Sequence, residues 1–127
     1  ATALAAIQIY EDDGLIERAD RMGRLMRELQ QDLMARHPSV GAARSIGLFG
    51  LVELVRRREP FTPMAPYGGS SDEMAAFGRA LRAGGLYTFV RWNTFFTNPP
   101  LTISEDELRE GFAIIDRALE ITDAAVA

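Results

Sequence analysis

Six apolar residues, Leu15, Ala19, Met22, Met26, Leu29 and Leu33, step along the chain by four, three, four, three and four positions. An α-helix, at about 3.6 residues per turn, lines such positions up as one stripe. Charged residues fill the other faces: Glu17, Arg18, Asp20, Arg21, Arg24, Arg27, Glu28 and Asp32. A helix built this way must lay its stripe on another layer of structure. His37-Pro38 ends it, because the residue before a proline is pushed out of the helical region. Met22 and Met26 lie on the stripe, so core packing explains them without a cofactor role.

The remaining elements follow from similar signals. Thr2 to Asp12 reads as a first helix, with Leu4, Ile7 and Tyr10 on one face and Gly14 interrupting before the long one. No turn precedes it, which fits either a chain cut from something longer or an initiator Met removed before Ala1. Val40 to Val55 is rich in Val, Leu, Ile and Phe, and predicts a strand from about Leu48 to Arg56 with a short one near Ala43 before it. Gly47 and Gly50 bracket the strand start and point to a bulge or close backbone packing. Glu59 to Gly69 holds three prolines and two glycines and predicts an irregular loop. Asp72 to Ala83 predicts a short helix with Met74, Phe77 and Leu81 buried, Ser70 and Glu73 as a capping box, and Gly84-Gly85 as its end. Tyr87 to Trp92 and Thr94 to Thr97 predict two short strands, and Asn98-Pro99-Pro100 a rigid turn. The last helix starts at Ser104 with Glu107 completing a capping box, and its core stripe is Leu108, Phe112, Ile115 and Leu119. Connections between the last strands are too short for crossovers. The expected fold is therefore α+β, a small, mostly antiparallel sheet covered by helices on one face.

Composition excludes several functions. The 127 residues fit a single domain spanning 1–127. Net charge is -4 with a pI of about 5.0, which argues against a nucleic-acid partner. The one basic run, Arg56-Arg57-Arg58, is expected to be a solvated strand end. There is no Cys and a single His, so neither a disulfide nor a metal site is expected. No apolar run approaches the roughly 20 residues of a membrane span, and no signal-peptide layout is present, so cytoplasm is the expected compartment. All 14 basic residues are Arg and none is Lys.

Several segments, taken in order, carry a resemblance. ATALAAIQIYEDDGLIERA, ARHPSVGAAR, SIGLFGLVELV, GLYTFVRW and above all NPPLTISEDELREGF resemble the small C-terminal domain of class III aminotransferases. The resemblance runs from end to end and implies a pyridoxal phosphate enzyme that moves an amino group from an amine or ω-amino acid to a 2-oxo acid. It also implies a full-length homodimer, with a larger N-terminal domain supplying the Schiff-base Lys and the phosphate-binding loop. This chain has no Lys, so it contains no catalytic residue of that kind and is expected neither to hold the cofactor covalently nor to transaminate alone. The other expectation kept open is a stand-alone, non-catalytic α+β module that binds a small acid or a protein.

Arg91 and Trp92 are the candidate substrate-binding residues. An Arg fork grips a carboxylate with two parallel hydrogen bonds, and Arg91 stands among Phe89, Val90 and Trp92, an odd setting for a solvating charge. The resemblance implies a carboxylate-binding Arg in this strand region. The plainer account is an edge-strand Arg paired with a surface carboxylate. Trp92 and Phe95-Phe96 would line a substrate tunnel, or else are core or interface, the commoner use of aromatics at strand spacing. Gly68-Gly69-Ser70-Ser71 before a helix is expected to be a plain N-cap rather than an anion site. His37 is expected to be structural or exposed. Glu53 and Asp116 show no partner at catalytic spacing, and no Ser-His-Asp set can be assembled.

Overall fold

The apolar stripe forms helix α2 (Leu15–Arg36), where Leu15, Met26 and Leu33 are buried and Ala19, Met22 and Leu29 half-buried. The computed structural model describes residues 1–127. Its other elements are α1 (Thr2–Asp12), β1 (Val40–Ile46), β2 (Phe49–Arg57), β3 (Thr62–Pro63), α3 (Asp72–Ala83), β4 (Val90–Arg91), β5 (Thr94–Thr97) and α4 (Glu105–Asp123). The fold is α+β. One sheet runs β1-β2-β5-β4 with every pair antiparallel, and β3 pairs with β2 at Val55 and Arg57, beyond the stretch that pairs with β5. No helix is long and apolar enough to cross a membrane.

Two glycines let α2 settle on this sheet. Strands β1 and β2 join through a tight turn at Gly47, whose φ of 53° suits a residue without a Cβ. Gly23 of α2 lies against that turn, and a Cβ added there would sit 2.6 Å from the Gly47 backbone. Gly50 of β2 lies beneath the buried bond from Gln30 Nε2 to Thr97 Oγ1, 2.8 Å, and a Cβ there would collide with both partners. The glycines expected to mark a bulge or close packing thus mark a turn and a close approach. The sheet's inner positions, among them Val52 and Phe95, join Met26, Leu33, Met74, Phe77, Leu81, Phe112, Ile115 and Leu119 in one core. Phe77 of α3 meets Phe95 of β5 with ring centres 5.1 Å apart, which ties the helices to the strand that carries the candidate site.

Helix ends follow the local signals with one shift. The Ser104–Glu107 capping box is present, and its hydrogen bonds to the Ser104 main chain and hydroxyl lower the Glu107 carboxyl. At α3 the cap is Ser71, not Ser70: the Ser71 hydroxyl accepts from Met74 N at 3.3 Å. Glu73 instead pairs with Arg56 at 2.8 Å. The end of α3 is a Schellman turn, with Leu86 N donating to Leu81 O and Gly85 N to Arg82 O around Gly85 at φ 91°.

Four expectations are corrected, and the apolar face of α1 proves to be uncovered. The strand expected from Tyr87 to Trp92 shrinks to Val90–Arg91, because the Thr88 hydroxyl takes the Phe96 carbonyl that a ladder amide would otherwise use. The short strand near Ala43 is a full partner of β2, and the loop from Glu59 contains β3. The Arg56–Arg58 run is not simply solvated, since Arg58 donates to the carbonyls of Met34, His37 and Val40 and so satisfies the end of α2. The apolar residues of α1 find no core: Leu4, Ile7, Ile9 and Tyr10 are all exposed.

Gly23→Ala should destabilise the domain. Ala gains about 1 kcal/mol of helix propensity over Gly, but its Cβ would meet backbone that cannot yield. Overpacking of this kind costs about 1–3 kcal/mol, so a net loss of up to about 2 kcal/mol is expected in urea denaturation. Gln31→Ala, on the exposed face of the same helix, should unfold close to the parent.

Candidate functional site: the β4–β5 turn

Strands β4 and β5 pair Val90 with Phe95 and Arg91 with Thr94, so Trp92 and Asn93 form the turn. Alternation sends Val90 and Phe95 to the core face and Arg91 and Thr94 to the outer face. Asn93 fastens this turn to β2: its carbonyl accepts from Leu54 N at 2.7 Å, and its side-chain amide donates to Leu54 O at 3.2 Å. Trp92 has a φ of 54° and is the one residue other than glycine with positive φ.

Arg91 is exposed, and its guanidinium carbon lies 4.3 Å from the centre of the Trp92 ring. No carboxylate pairs with it, so the plainer account, an edge Arg tied to a surface acid, does not describe this side chain. Trp92 is half-buried and also contacts Tyr67, ring centres 4.1 Å apart and planes tilted 45°. The sequence reading missed Tyr67, since nothing in an irregular loop says which strand it will touch. Trp92 further walls a groove of about 280 Å³ with Ser70, Met74, Gly78, Arg79, Arg82 and Val90. Phe95 is fully buried in the core and lines no tunnel. Phe96 faces the outer side, where it meets Phe49 and Phe89 with ring centres 5.8 and 5.7 Å away.

A second cluster carries the residue types of acid–base chemistry without the arrangement. His37 is buried, with Nδ1 2.6 Å from Asp123 Oδ2 and Nε2 2.8 Å from Asp116 Oδ1. Both ring nitrogens are occupied, so neither is free to take a proton from a substrate. The Ser39 hydroxyl donates to Asp123 Oδ1 at 2.6 Å and lies 2.8 Å from the Thr122 hydroxyl, away from His37, which leaves no Ser-His-Asp relay. Asp116, without a visible partner in sequence, also pairs with Arg36. Its carboxyl is held below the ordinary range, first by His37 and then by Arg36, with partial burial acting the other way. This cluster joins the end of α2 to α4 and is structural.

The sequence and the fold as a whole match known proteins. A sequence profile described as "Aminotransferase class-III" matches residues 1–119. Taurine–pyruvate aminotransferase of Bilophila wadsworthia is 36% identical over 124 residues, 93% of this chain and 26% of that protein. A 4-aminobutyrate aminotransferase of Mycobacterium tuberculosis is 34% identical over 115 residues, 91% of this chain and 25% of that protein. The crystal structure of taurine:2-oxoglutarate aminotransferase from Bifidobacterium kashiwanohense, in complex with PLP and glutamate, superposes with a TM-score of 0.90 at 27% identity, covering 98% of this chain and 28% of that one. The chain belongs to the class III aminotransferase family. It spans about a quarter of the length of the relatives it matches.

The lowered Asp116 carboxyl sets an expected pH dependence. Such a group adds stability above its unfolded titration range, about pH 3.9 for Asp, and loses it as the pH falls through its lower folded value. Asp116→Asn should therefore lower the melting temperature at pH 7, and the gap from the parent should begin to close as melts are taken below pH about 4. A gap that stays constant with pH would mean that packing, not charge, is what Asp116 contributes.

Proposed function

We propose that this chain is the small C-terminal domain of a pyridoxal-phosphate-dependent aminotransferase that moves an amino group from an amine or ω-amino acid to a 2-oxo acid. The observation that carries the reading is Arg91, a guanidinium on a fastened turn, held over Trp92 and free of any carboxylate, in a chain of this family. Taurine and 4-aminobutyrate, which name two of the relatives, each carry an acid group at the end opposite the amine. A guanidinium fork offers two parallel N–H donors to a carboxylate or sulfonate. In this reading Arg91 grips the acid end of the substrate, Trp92 holds Arg91, and no residue of the chain is catalytic.

The residues here do not fit the cofactor. Pyridoxal phosphate is held as a Schiff base on a Lys, and the chain has none. The Gly68–Ser71 turn, the one glycine-rich approach to a helix, is closed by the Ser71 hydroxyl bonding its own helix. Cofactor chemistry is accordingly assigned to a larger N-terminal domain outside residues 1–127. The uncovered apolar residues of α1 and the Phe49–Phe96–Phe89 row support such a covering partner, and the full-length enzyme is proposed to be a cytoplasmic homodimer.

Two outcomes are expected. Pyridoxal phosphate added to residues 1–127 should give no absorbance band of an internal aldimine, and such a band would sink the reading. In the longer polypeptide encoded by the same reading frame, Arg91→Leu should cut kcat/KM for taurine or 4-aminobutyrate about 10- to 100-fold, while an amine without an acid group is affected far less. A reading frame that encodes no Lys-bearing domain would instead favour a stand-alone binding module.

A further inference from the structure

We propose that Tyr67 is a positioning residue for Arg91, acting through the ring of Trp92, and that the three side chains form one recognition surface for the acid end of a small carboxylate or sulfonate. The ligand half of this inference rests on the reading of Arg91 given above, whereas the positioning half rests on geometry alone.

Trp92 is held in a conformation it would not choose. A left-handed backbone costs an L-residue with a Cβ roughly 1–2 kcal/mol, and such strain persists where the surroundings over-determine it. Two restraints are present. Asn93 bonds Leu54 of β2 through both its carbonyl and its side-chain amide, which fixes the turn. Tyr67, from the loop between β3 and α3, sets its ring 4.1 Å from the indole, which fixes the side chain. The indole then offers its face to the Arg91 guanidinium at 4.3 Å. An arginine resting on an aromatic face keeps its N–H donors available for a planar acid while losing much of its rotational freedom.

Tyr67 has no other visible duty. It is 87% exposed, makes no hydrogen bond, and belongs to no part of the core. An exposed aromatic whose one aromatic partner is a strained indole is poorly explained by stability and well explained by recognition. The local charge agrees with an anion. Arg79 and Arg82, which share the Trp92 groove, make no ion pair, and no carboxylate lines that groove. This sets a positive region on a chain whose net charge is -4.

The chain has one Trp, so its fluorescence reports on this ring alone. The test uses residues 1–127 with Tyr67→Ala, Tyr67→Phe and Arg91→Leu, each checked by thermal melt, and 2-aminoethanesulfonate and 4-aminobutyrate as probes. In the parent, the Arg91 side-chain N–H resonance should carry a ring-current shift from Trp92. Tyr67→Ala should move it toward the position of a solvated arginine, and Tyr67→Phe should keep it, because the ring and not the hydroxyl makes the contact. The Trp92 fluorescence response to the probes should weaken about two- to fivefold in Kd in Tyr67→Ala and vanish in Arg91→Leu. An Arg91 resonance unmoved by Tyr67→Ala would overturn the positioning role. A probe response lost in Arg91→Leu but unchanged in Tyr67→Ala would overturn the shared surface and leave the Arg91 reading standing. No probe response in the parent would overturn the shared recognition surface, the Arg91 reading being decided by kcat/KM in the longer polypeptide, while the resonance still decides what Tyr67 does.

Discussion

Everything in this fold hangs on the distance at which α2 lies over the sheet. Two missing side chains set that distance. Gly23 allows the helix to rest on the Gly47 turn, and Gly50 leaves room for the Gln30–Thr97 bond to pass over β2. With the helix that close, Met26 and Leu33 reach the same core as Val52 and Phe95. A buried amide and hydroxyl that satisfy each other cost little, whereas either alone would cost about 1–3 kcal/mol. The close approach and the polar bond therefore require one another. β5 is held both by its ladder to β2 and by this bond from α2, and it in turn carries the candidate site.

Arginine does more structural work here than its share of charge suggests. Arg58 collects two carbonyls at the end of α2 and one at the start of β1, and Arg18 donates to the carbonyls of Leu101, Thr102 and Ile103 just ahead of α4. A planar group with five donors can serve several carbonyls at once, which a lysine ammonium does less well. Against that background Arg91 differs in kind. It lies on an aromatic ring and donates to nothing in its own chain. The contrast separates guanidiniums spent on holding backbone from one that rests on an aromatic face and stays available.

The helices were legible because their evidence is local. The stripe of α2, the Ser104 capping box and the paired glycines after α3 are each settled within a turn or two of helix. Strand lengths were less legible. A ladder depends on what the neighbouring strand offers, and the Thr88 hydroxyl bonding Phe96 O shortens β4 in a way no window of sequence reveals. The cap of α3 slipped by one residue because Ser70 and Ser71 are alike in sequence, while Glu73 was drawn to Arg56 from another element. At the candidate site, Arg91 and Trp92 stood out by chemistry and family resemblance, but Tyr67 did not, since a loop residue acquires its role only from what it touches.

The sequence alone determined the order and type of most elements, the absence of a lysine for a Schiff base, and the family, because periodicity, turn residues and composition are written in consecutive positions. Tertiary structure alone decided which charges are free and which are used. His37, Asp116 and Asp123 come together from the two ends of the chain to lock a helix pair, Arg58 turns inward, and Arg91 is left over Trp92 with no acid beside it. The physical reason is one of range. Helix and turn preferences act over a few residues, whereas the partner of a charged group is fixed only when the core has brought distant segments within hydrogen-bonding distance.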